Sequence, residues 1–314
     1  MNAVDYIRTG NQCVSVTLTE LLTLCRRAKE LSLSTLRPRS TLSGQRPSRL
    51  FARGMEFAES RRYQPGDDIR HMDWRVTART GKAHTKLFTV EKERQVLLAV
   101  DMRASMFFAT QGVFKSVQAA LMAGNLAWNV SQNGDRLGGM IFDDKQLFEY
   151  RPALRKKGLL PLLHGLAECA DFSAKKNNSD GLVDRDCVLD NAIASIHQIA
   201  TPGSLIFMVS DFRHFSDYAR DLLIQVSRHC ELCLCFVYDP LEADLPKNGS
   251  YAVTNGGSEV HLNTYDKNSL DRYQRQFVAR RAKVASMCAQ SHIHFIECST
   301  RDDCFEVLRK HFKK

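Results

Sequence analysis

The chain has 314 residues, of which 44% are hydrophobic and 25% are charged, and these values exclude collagen-like, coiled-coil and wholly disordered proteins. The sequence contains no run of about 20 apolar residues, so no membrane-spanning helix is predicted. The first residues include Asp5 and lack the apolar region of a secretory signal. We therefore expect a soluble, cytoplasmic protein with one large domain or two modest ones.

The positive charge is concentrated in the first third of the chain. The net charge is +9; residues 1–95 carry 18 basic and 10 acidic residues, and the remaining 219 residues carry 26 and 25. Such a surplus would attract an acidic partner to this part of the molecule. The alternative is that the interleaved acidic side chains neutralise the arginines internally. No RNP, zinc-finger or helix-turn-helix pattern accompanies them, so nucleic-acid binding is not expected.

The first 95 residues predict three successive segments. A helix is expected over residues 17–33, where Thr17 and Glu20 have the spacing of a capping box. Residues 34–50 contain two prolines and many small polar residues, which is typical of a linker. Short β-like runs and turns follow, and residues 87–93 are the best predicted strand. The predicted domains are an N-terminal helix and linker (1–44), a β-rich subdomain (45–95) and a third domain (96–314).

From residue 96 onward, apolar strands alternate with helices of ten or more residues. This alternation predicts an α/β fold with a doubly wound, mostly parallel sheet. The strands are predicted at residues 95–101, 136–142, 146–150, 204–211, 231–238 and 292–297. The helices are predicted at residues 113–132, 157–170, 187–200, 216–229, 269–291 and 302–312, and a turn-rich excursion contains Asn255, Gly256 and Gly257.

Two of the predicted buried strands end in an aspartate, Asp101 and Asp211. In an open α/β sheet, ligands bind outside the carboxyl ends of the strands, where the strand order reverses. Two carboxylates at this edge repel each other unless a cation lies between them. A turn of the form Asp-x-Ser-x-Ser after the first strand can supply oxygen ligands to Mg²⁺. Here Asp101 and Ser105 keep this spacing, and Arg103 stands in the middle position.

Two groups of residues resemble known families. The turn after the first strand and the Ser210-Asp211 end of the second resemble a von Willebrand factor A domain with its metal-ion-dependent adhesion site. A block upstream contains Gly54-Met55-Glu56-Phe57, Arg62-Tyr63, Pro65-Gly66-Asp67-Asp68-Ile69-Arg70, Asp73-Trp74 and Ala78-Arg79. This block resembles the signature of the domain-of-unknown-function 58 (DUF58) family. The later residues Gly134-Asp135-Arg136-Leu137-Gly138 and Val209-Ser210-Asp211-Phe212 also match, and the resemblance covers about residues 40–312.

The adhesion-site pattern transfers to this chain only in part. Asp101, Ser105 and Asp211 match it, whereas Arg103 replaces a serine and Cys187 stands where a threonine is expected. A guanidinium is not a metal ligand, and a thiol is a poor ligand for a hard cation. We expect a site that is metal-free or binds Mg²⁺ only weakly, in which Arg103 pairs with one aspartate. Alternatively, Arg103 faces solvent and meets a partner's carboxylate. In that case the oxygen atoms of Asp101, Ser105 and Asp211 keep an ion.

The charged signature block has two interpretations. One is a structural network of salt bridges and turns, with Pro65-Gly66 setting the turn and Trp74 packed beneath it. The other is a partner-docking face, because arginine and tryptophan dominate the energetics of interfaces. The residues concerned are Arg61, Arg62, Tyr63, Asp67, Asp68, Arg70, Asp73, Trp74, Arg75 and Arg79.

Other chemical motifs are weak or missing. The ten cysteines are expected to be reduced and buried, because they lie in apolar runs and no export signal is seen. Those at 230, 233 and 235 lack zinc-site spacing and are expected to be core residues. His292 and His294, near Cys298 and Cys304, are a weak zinc candidate. No P-loop or Rossmann glycine motif predicts a bound nucleotide, and no GxSxG or HExxH motif predicts hydrolysis. We expect no cofactor apart from the weak Mg²⁺ considered above.

The DUF58 resemblance implies a bacterial protein that works beside a MoxR-type AAA+ ATPase. On this basis we expect a non-enzymatic interaction module, an adaptor or chaperone-like factor for the assembly of client proteins. Metal-dependent ligand binding or catalysis at Asp101, Ser105 and Asp211 remains an alternative. Nucleic-acid binding by the basic first third is a further, less favoured one.

Overall fold

The structure is a computed structural model that describes residues 10–33, 55–90, 93–172, 187–244, 250–254, 259–263 and 267–313. The chain divides into two compact units. The smaller comprises residues 42–93, and the larger comprises residues 1–41 together with 94–314. The predicted linker at 34–50 and the turn at 255–257 lie outside the described residues. No helix among the described residues is both long enough and apolar enough to cross a membrane.

The N-terminal segment forms two short helices, α1 (Leu18–Thr23) and α2 (Cys25–Ala28). The capping box is confirmed, since Thr17 N donates to Glu20 Oε2 at 2.9 Å and Glu20 N donates to Thr17 Oγ1 at 3.3 Å. The prediction of one helix through residue 33 is wrong. Asn129 Nδ2 donates to the carbonyl oxygens of Ala28 and Leu31, both at 2.8 Å. These carbonyls are bonded by a side chain instead of by a continuing helix.

The smaller unit contains an antiparallel pair of strands and a helix between them. Strand β1 (Met55–Arg62) pairs with β2 (His84–Val90), which begins three residues before the predicted strand. The helix α3 (Trp74–Thr80) was not predicted. It begins where Asp73 Oδ1 accepts from Val76 N at 3.2 Å, and it ends at Gly81, whose φ of 68° favours glycine.

The larger unit is built on a six-stranded, mostly parallel sheet. Its strands agree with the predictions to within four residues at each end. They are β3 (Gln95–Asp101), β4 (Arg136–Phe142), β5 (Leu147–Leu154), β6 (Leu205–Ser210), β7 (Glu231–Tyr238) and β10 (His294–Ser299). The strand order is β10-β7-β6-β3-β4-β5. The edge strand β5 is antiparallel to β4, because the four residues between them permit only a hairpin. A separate antiparallel hairpin consists of β8 (Ser250–Thr254) and β9 (Glu259–Asn263).

Helices cover both faces of this sheet. On β3, Val96, Leu98 and Val100 belong to one buried core, and Leu97 and Ala99 belong to the other. The first core includes residues of α4 (Lys115–Gln132), α5 (Lys156–Cys169) and α10 (Cys304–Phe312). The second includes residues of α6 (Val188–Ile199), α7 (Asp217–Ser227) and α9 (Lys267–Ser291). A short helix α8 (Pro240–Ala243) follows β7.

The strand order reverses between β3 and β6. From β3 the chain proceeds outward through β4 and β5, and it then returns to β6 on the opposite side of β3. Such a reversal opens a crevice at the carboxyl ends of the two strands. The sheet therefore brings the ends of β3 and β6, with Asp101 and Asp211, to one place.

The cysteines are in the free thiol form, and most are buried. Burial raises the pKa of Cys230 to about 11 and that of Cys288 to about 12. These thiols are therefore protonated at neutral pH and pack as small apolar groups. His294 Nε2 lies 3.0 Å from Glu231 Oε1. Among the described residues, no group of three or more His, Cys, Asp or Glu side chains could hold a metal ion, and His294 is therefore in no such group.

Candidate functional site

Asp101, the last residue of β3, is covered on both carboxylate oxygens. Arg103 donates to Asp101 Oδ1 from its backbone N at 2.9 Å and from Nε at 3.0 Å, and to Oδ2 from Nη2 at 2.7 Å. Ser210, the last residue of β6, adds a hydroxyl bond to Oδ2 at 2.6 Å. Asp101 and Arg103 thus form a buried, forked ion pair inside one turn.

Asp211 is paired with Lys115, the first residue of α4. Lys115 Nζ lies 2.9 Å from Asp211 Oδ2 and 2.8 Å from Glu242 Oε1. Its side chain has no solvent exposure, and those of the two carboxylates have 0% and 1%. Buried charges persist only where they are paired and hydrogen-bonded. Lys115 therefore links the end of β6 to α8, which carries Glu242.

Two further arginines join this cluster, Arg213 from the loop that follows β6 and Arg280 from α9. Arg213 Nη2 donates to Glu242 Oε1 at 2.6 Å, and Arg213 Nε lies 3.5 Å from Asp211 Oδ2. Arg280 Nη2 lies 3.9 Å from Glu242 Oε2, and Arg103 Nη2 lies 3.7 Å from Asp211 Oδ1. We call the residues joined by these contacts the strand-end cluster. Its members are the carboxylates Asp101, Asp211 and Glu242 and the cations Arg103, Lys115, Arg213 and Arg280.

The strand-end cluster has more cations than carboxylates, and it shifts the pKa values of Asp211 and Arg103. Three carboxylates against four cations leave a surplus of one positive charge. Burial opposes ionisation of Asp211, but the surrounding cations, Lys115 foremost, outweigh it and hold its pKa below the ordinary value. Burial likewise opposes the charge of Arg103, and Asp101 outweighs this effect and raises the pKa of the guanidinium. Asp211 and Arg103 are therefore charged at neutral pH.

A magnesium ion does not fit the side chains at this edge. Mg²⁺ requires near-octahedral oxygen ligands, yet Arg103 bonds both oxygens of Asp101 and Lys115 bonds one oxygen of Asp211. Among the described residues, no group of three or more His, Cys, Asp or Glu side chains is arranged to hold a metal ion. The cations that neutralise these aspartates belong to the chain itself.

Ser105 and Cys187 do not join the ion pairs of the strand-end cluster. The Ser105 hydroxyl is buried without a hydrogen-bond partner among the described residues. Cys187 is exposed and occupies the N-cap position of α6, where its side chain makes no capping hydrogen bond. Of the five predicted residues, ion pairs therefore join Asp101, Arg103 and Asp211.

Sequence reasoning missed Lys115, Arg213, Glu242 and Arg280. It also missed Asp239, a third aspartate directly after a buried strand. Asp239 accepts from Thr110 Oγ1 at 2.6 Å and from Thr300 Oγ1 at 2.9 Å. Asp101 and Asp211 were selected because each stands at the end of a predicted buried strand, and Asp239 meets the same criterion. Glu242 also had a signal, because it forms a capping box with Asp239.

In the smaller unit, the aspartates of the signature block bind mainly to the backbone. Asp68 Oδ1 accepts from Arg70 N at 3.0 Å, and Asp73 Oδ2 accepts the Ser60 hydroxyl at 2.7 Å in addition to capping α3. These hydrogen bonds, that of Ser60 foremost, lower the pKa of Asp73. Asp67 accepts from Gln64 N at 2.9 Å and pairs with Arg61 at 2.7 Å. The block is thus stabilised by turns more than by salt bridges.

The remaining arginines and the tryptophan of this block point to solvent. Trp74 is 66% exposed and Ile69 is 64% exposed. The expectation that Trp74 packs beneath the turn is therefore wrong, because the buried residue at the start of α3 is its cap, Asp73. Tyr63 is half-buried, and its backbone N donates to Ala83 O at 2.9 Å. The exposed arginines, which form no ion pair within the described residues, are Arg62, Arg70, Arg75 and Arg79.

Comparisons with known proteins place these features in a family context. A family model described as "Protein of unknown function DUF58" matches residues 59–283. Uncharacterized proteins of Mycobacterium bovis and Mycobacterium tuberculosis are 30% identical to the chain over 233 residues, which is 74% of this chain and 70% of each relative. A crystal structure of the conserved hypothetical protein BatB from Bacteroides thetaiotaomicron gives a TM-score of 0.42 with 13% identity, covering 69% of this chain and 96% of that one.

Proposed function

The chain belongs to the DUF58 family, and from this premise we propose that it is a non-enzymatic protein-interaction module. In this proposal it acts as an adaptor or chaperone-like factor beside a MoxR-type AAA+ ATPase, in the cytoplasm, during the assembly of client proteins. The larger unit serves as a von Willebrand factor A-like domain whose strand-end site recognises partners without a metal. The strand order, with its reversal between β3 and β6, is compatible with this assignment.

The observation that carries the proposal is the internal neutralisation of Asp101 and Asp211. In a metal-dependent enzyme or adhesion site, these oxygens must be open to an ion. Here Arg103 and Lys115 bond them at 2.7–3.0 Å. No open carboxylate of this pair is left to bind an ion or to act as a base, so binding is the role that the geometry favours.

The exposed side chains of the smaller unit supply a second support. Trp74 and Ile69 are large apolar residues that face solvent. Four exposed arginines of the same block, at positions 62, 70, 75 and 79, make no ion pair within the described residues. Tryptophan and arginine are the residue types that contribute most to protein interfaces. We therefore assign this surface, defined by these six residues and called the signature face below, as the ATPase-docking surface.

Bio-layer interferometry tests the proposal directly. The full chain is immobilised, and a purified MoxR-type ATPase from the same organism is titrated in the presence of a non-hydrolysable ATP analogue. The expected result is saturable binding in the micromolar range or tighter. A matched AAA+ ATPase of another class serves as the control. Equal binding of the two ATPases, or binding of neither, would overturn the proposed partnership.

A further inference from the structure

A pocket lies beside the strand-end cluster, between the loop that follows β6 and helix α9. Its volume is about 310 Å³, which is at the lower end of the range for small-ligand sites. Its walls combine cationic, polar and aromatic side chains. The lining residues are Arg213, His214, Tyr273, Gln276, Phe277 and Arg280.

Arg280 is the least neutralised cation of this pocket. Its carboxylate contact, Glu242 Oε2, lies at 3.9 Å, which is longer than a hydrogen bond. Its Nε is buried and has no hydrogen-bond partner among the described residues. The guanidinium lies 5.5 Å from the ring centre of Phe277 and 5.9 Å from that of Phe236. Burial lowers the pKa of Arg280, and Asp211 and Glu242 offset this only in part. A bound anion would supply the missing compensation.

Arg213 is held in place from several sides. Its backbone N donates to Asp211 Oδ1 at 3.1 Å, and its carbonyl oxygen accepts from Arg103 Nη1 at 3.1 Å. Its neighbours Phe212 and His214 have φ values of 50° and 59°, a conformation that non-glycine residues adopt at an energetic cost. Arg213 Nε is buried and lacks a hydrogen-bond partner in the described part of the chain. The loop therefore presents a fixed guanidinium before any ligand arrives.

The charge balance of the cluster indicates a monoanion. Within ion-pair distance four cations face three carboxylates, and Asp144 adds a further negative charge that acts on Arg103. A carboxylate, with one negative charge, therefore matches the cluster better than a phosphate dianion does. The guanidinium fork matches a carboxylate in geometry, and Tyr273 and Gln276 can hydrogen-bond to the peptide groups that flank it.

We propose that this pocket binds a carboxylate of a partner polypeptide, supplied by an acidic side chain or by a chain terminus. Arg280 and Arg213 bind the carboxylate, and Phe277 contacts the aliphatic carbons that carry it. The inference rests on the proposed interaction role and specifies the chemical group that the larger unit recognises. It also explains why Arg280 lies beside the pocket with its carboxylate contact at only 3.9 Å.

Peptide titrations followed by NMR test this inference on the full chain. The probes are acetyl-Ala-Glu-Ala-amide, acetyl-Ala-Ala-Ala with a free carboxyl terminus, and acetyl-Ala-Gln-Ala-amide as the uncharged match. We expect at least one carboxylate peptide to shift the side-chain resonances of the pocket and to bind at least tenfold more tightly than the Gln peptide. Comparing the first two probes identifies the source of the carboxylate. Equal effects of all three peptides would overturn the inference, as would tighter binding of inorganic phosphate.

Two variants connect this binding to the pocket. Arg280→Gln is expected to weaken the carboxylate peptide at least tenfold, and Arg280→Lys, which keeps the charge but loses the fork, is expected to weaken it less. Arg272→Gln, an exposed position on the same helix, is the matched control and should leave affinity unchanged. Thermal unfolding verifies that each variant is folded. If Arg280→Gln binds the carboxylate peptide as tightly as the wild type does, the assignment is wrong. If Arg280→Gln does not fold, wild-type affinity in Arg280→Lys leads to the same conclusion.

The same variants separate this inference from the proposed function. If the ATPase binds the wild type but no carboxylate peptide does, the pocket assignment fails and the adaptor role stands. If a carboxylate peptide binds through Arg280 but the ATPase does not bind, the pocket assignment stands and the ATPase partnership fails.

Discussion

Lys115 Nζ lies 2.9 Å from Asp211 Oδ2, although the two residues are 96 positions apart and neither side chain is exposed to solvent. The same ammonium donates to Glu242 Oε1 at 2.8 Å. Burial of a charged lysine costs desolvation free energy, and this cost is offset only if the ammonium neutralises carboxylates that are equally buried. Lys115 therefore serves as the internal counter-ion of Asp211 and Glu242 at the carboxyl edge of the sheet.

Replacement of Lys115 by methionine should strongly destabilise the larger unit. The variant keeps the side-chain volume but leaves Asp211 and Glu242 with fewer cations in a buried site. Breaking a buried pair in this way costs about 3–5 kcal/mol of the free energy of unfolding. Urea denaturation measures the loss. Lys310→Met, at an exposed position of α10, is the control and should change stability by no more than about 0.5 kcal/mol. Equal effects of the two substitutions would exclude a counter-ion role.

The stability difference between the wild type and Asp211→Asn should depend on pH. The folded pKa of Asp211 lies below its value in the unfolded chain, because neighbouring cations outweigh burial. Its contribution to stability is therefore present above the unfolded pKa of about 3.9 and is lost as the pH falls toward the folded pKa. We expect the difference, measured by urea denaturation between about pH 6 and pH 3, to shrink on acidification. A difference that is constant with pH would contradict the ionised pair.

Calorimetric titration with Mg²⁺ and Mn²⁺ should give no binding heat in the wild type. The reason is that Arg103 bonds both oxygens of Asp101. Arg103→Ser combined with Cys187→Thr restores the oxygen-bearing residues of the adhesion-site pattern, and this double variant should acquire measurable Mg²⁺ affinity. Cys187→Thr alone keeps the guanidinium and is the matched control. Tight Mg²⁺ binding by the wild type would mean that a metal, and not Arg103, neutralises the edge.

Trp74→Ala should weaken ATPase binding about tenfold without unfolding the smaller unit. The side chain is 66% exposed, so its removal should alter the free energy of unfolding by no more than about 0.5 kcal/mol. A tryptophan that becomes buried at an interface commonly contributes a factor of about ten to the affinity. Tyr218→Ala, at a 59% exposed position of the other unit, is the control. Equal affinities of wild type and Trp74→Ala would remove Trp74 from the signature face.

Gly139→Ala should disrupt the centre of the sheet. A Cβ atom at this position would collide with the backbone of Leu98 on the paired strand β3. We expect a loss of about 3 kcal/mol in stability, since backbone atoms in a sheet cannot move aside cheaply. Gly134→Ala is the control, because a Cβ there meets no atom within 4 Å and only the φ of +78° opposes it. Its cost should be about 1 kcal/mol, and similar costs for both glycines would contradict the steric argument.

The sheet could be predicted from sequence because its strands are continuous apolar runs. The β3, β4 and β7 strands have the predicted bounds. Long runs of buried residues leave little choice of conformation, and the alternation with helices fixes the parallel order. The antiparallel β5 and the helix α3 are short elements whose type depends on turns and caps, and apolar periodicity carries little information about them.

The candidate site could be predicted where its contacts are local or where the strand ends bring its residues together, as they do for Asp101 and Asp211. Arg103 pairs with Asp101 two residues away, so the motif itself contains the contact. Lys115 and Glu242 meet across 127 positions, and a single lysine at the start of a helix ordinarily faces solvent. One of the two interpretations of the signature block packed Trp74 beneath the turn, whereas Trp74 is exposed and the cap residue Asp73 is buried. Such long-range polar contacts follow from the fold and cannot be read from residue spacing.

The attachment of the N-terminal segment to α4 has a consequence for the order in which the chain folds during synthesis. Trp128 Nε1 and Gln132 Nε2 donate to the carbonyl oxygens of Leu21 and Cys25, each across 107 positions. Helices of 6 and 4 residues are too short to be stable in water alone. These two helices therefore become stable only after α4 has been synthesised and can supply its hydrogen bonds.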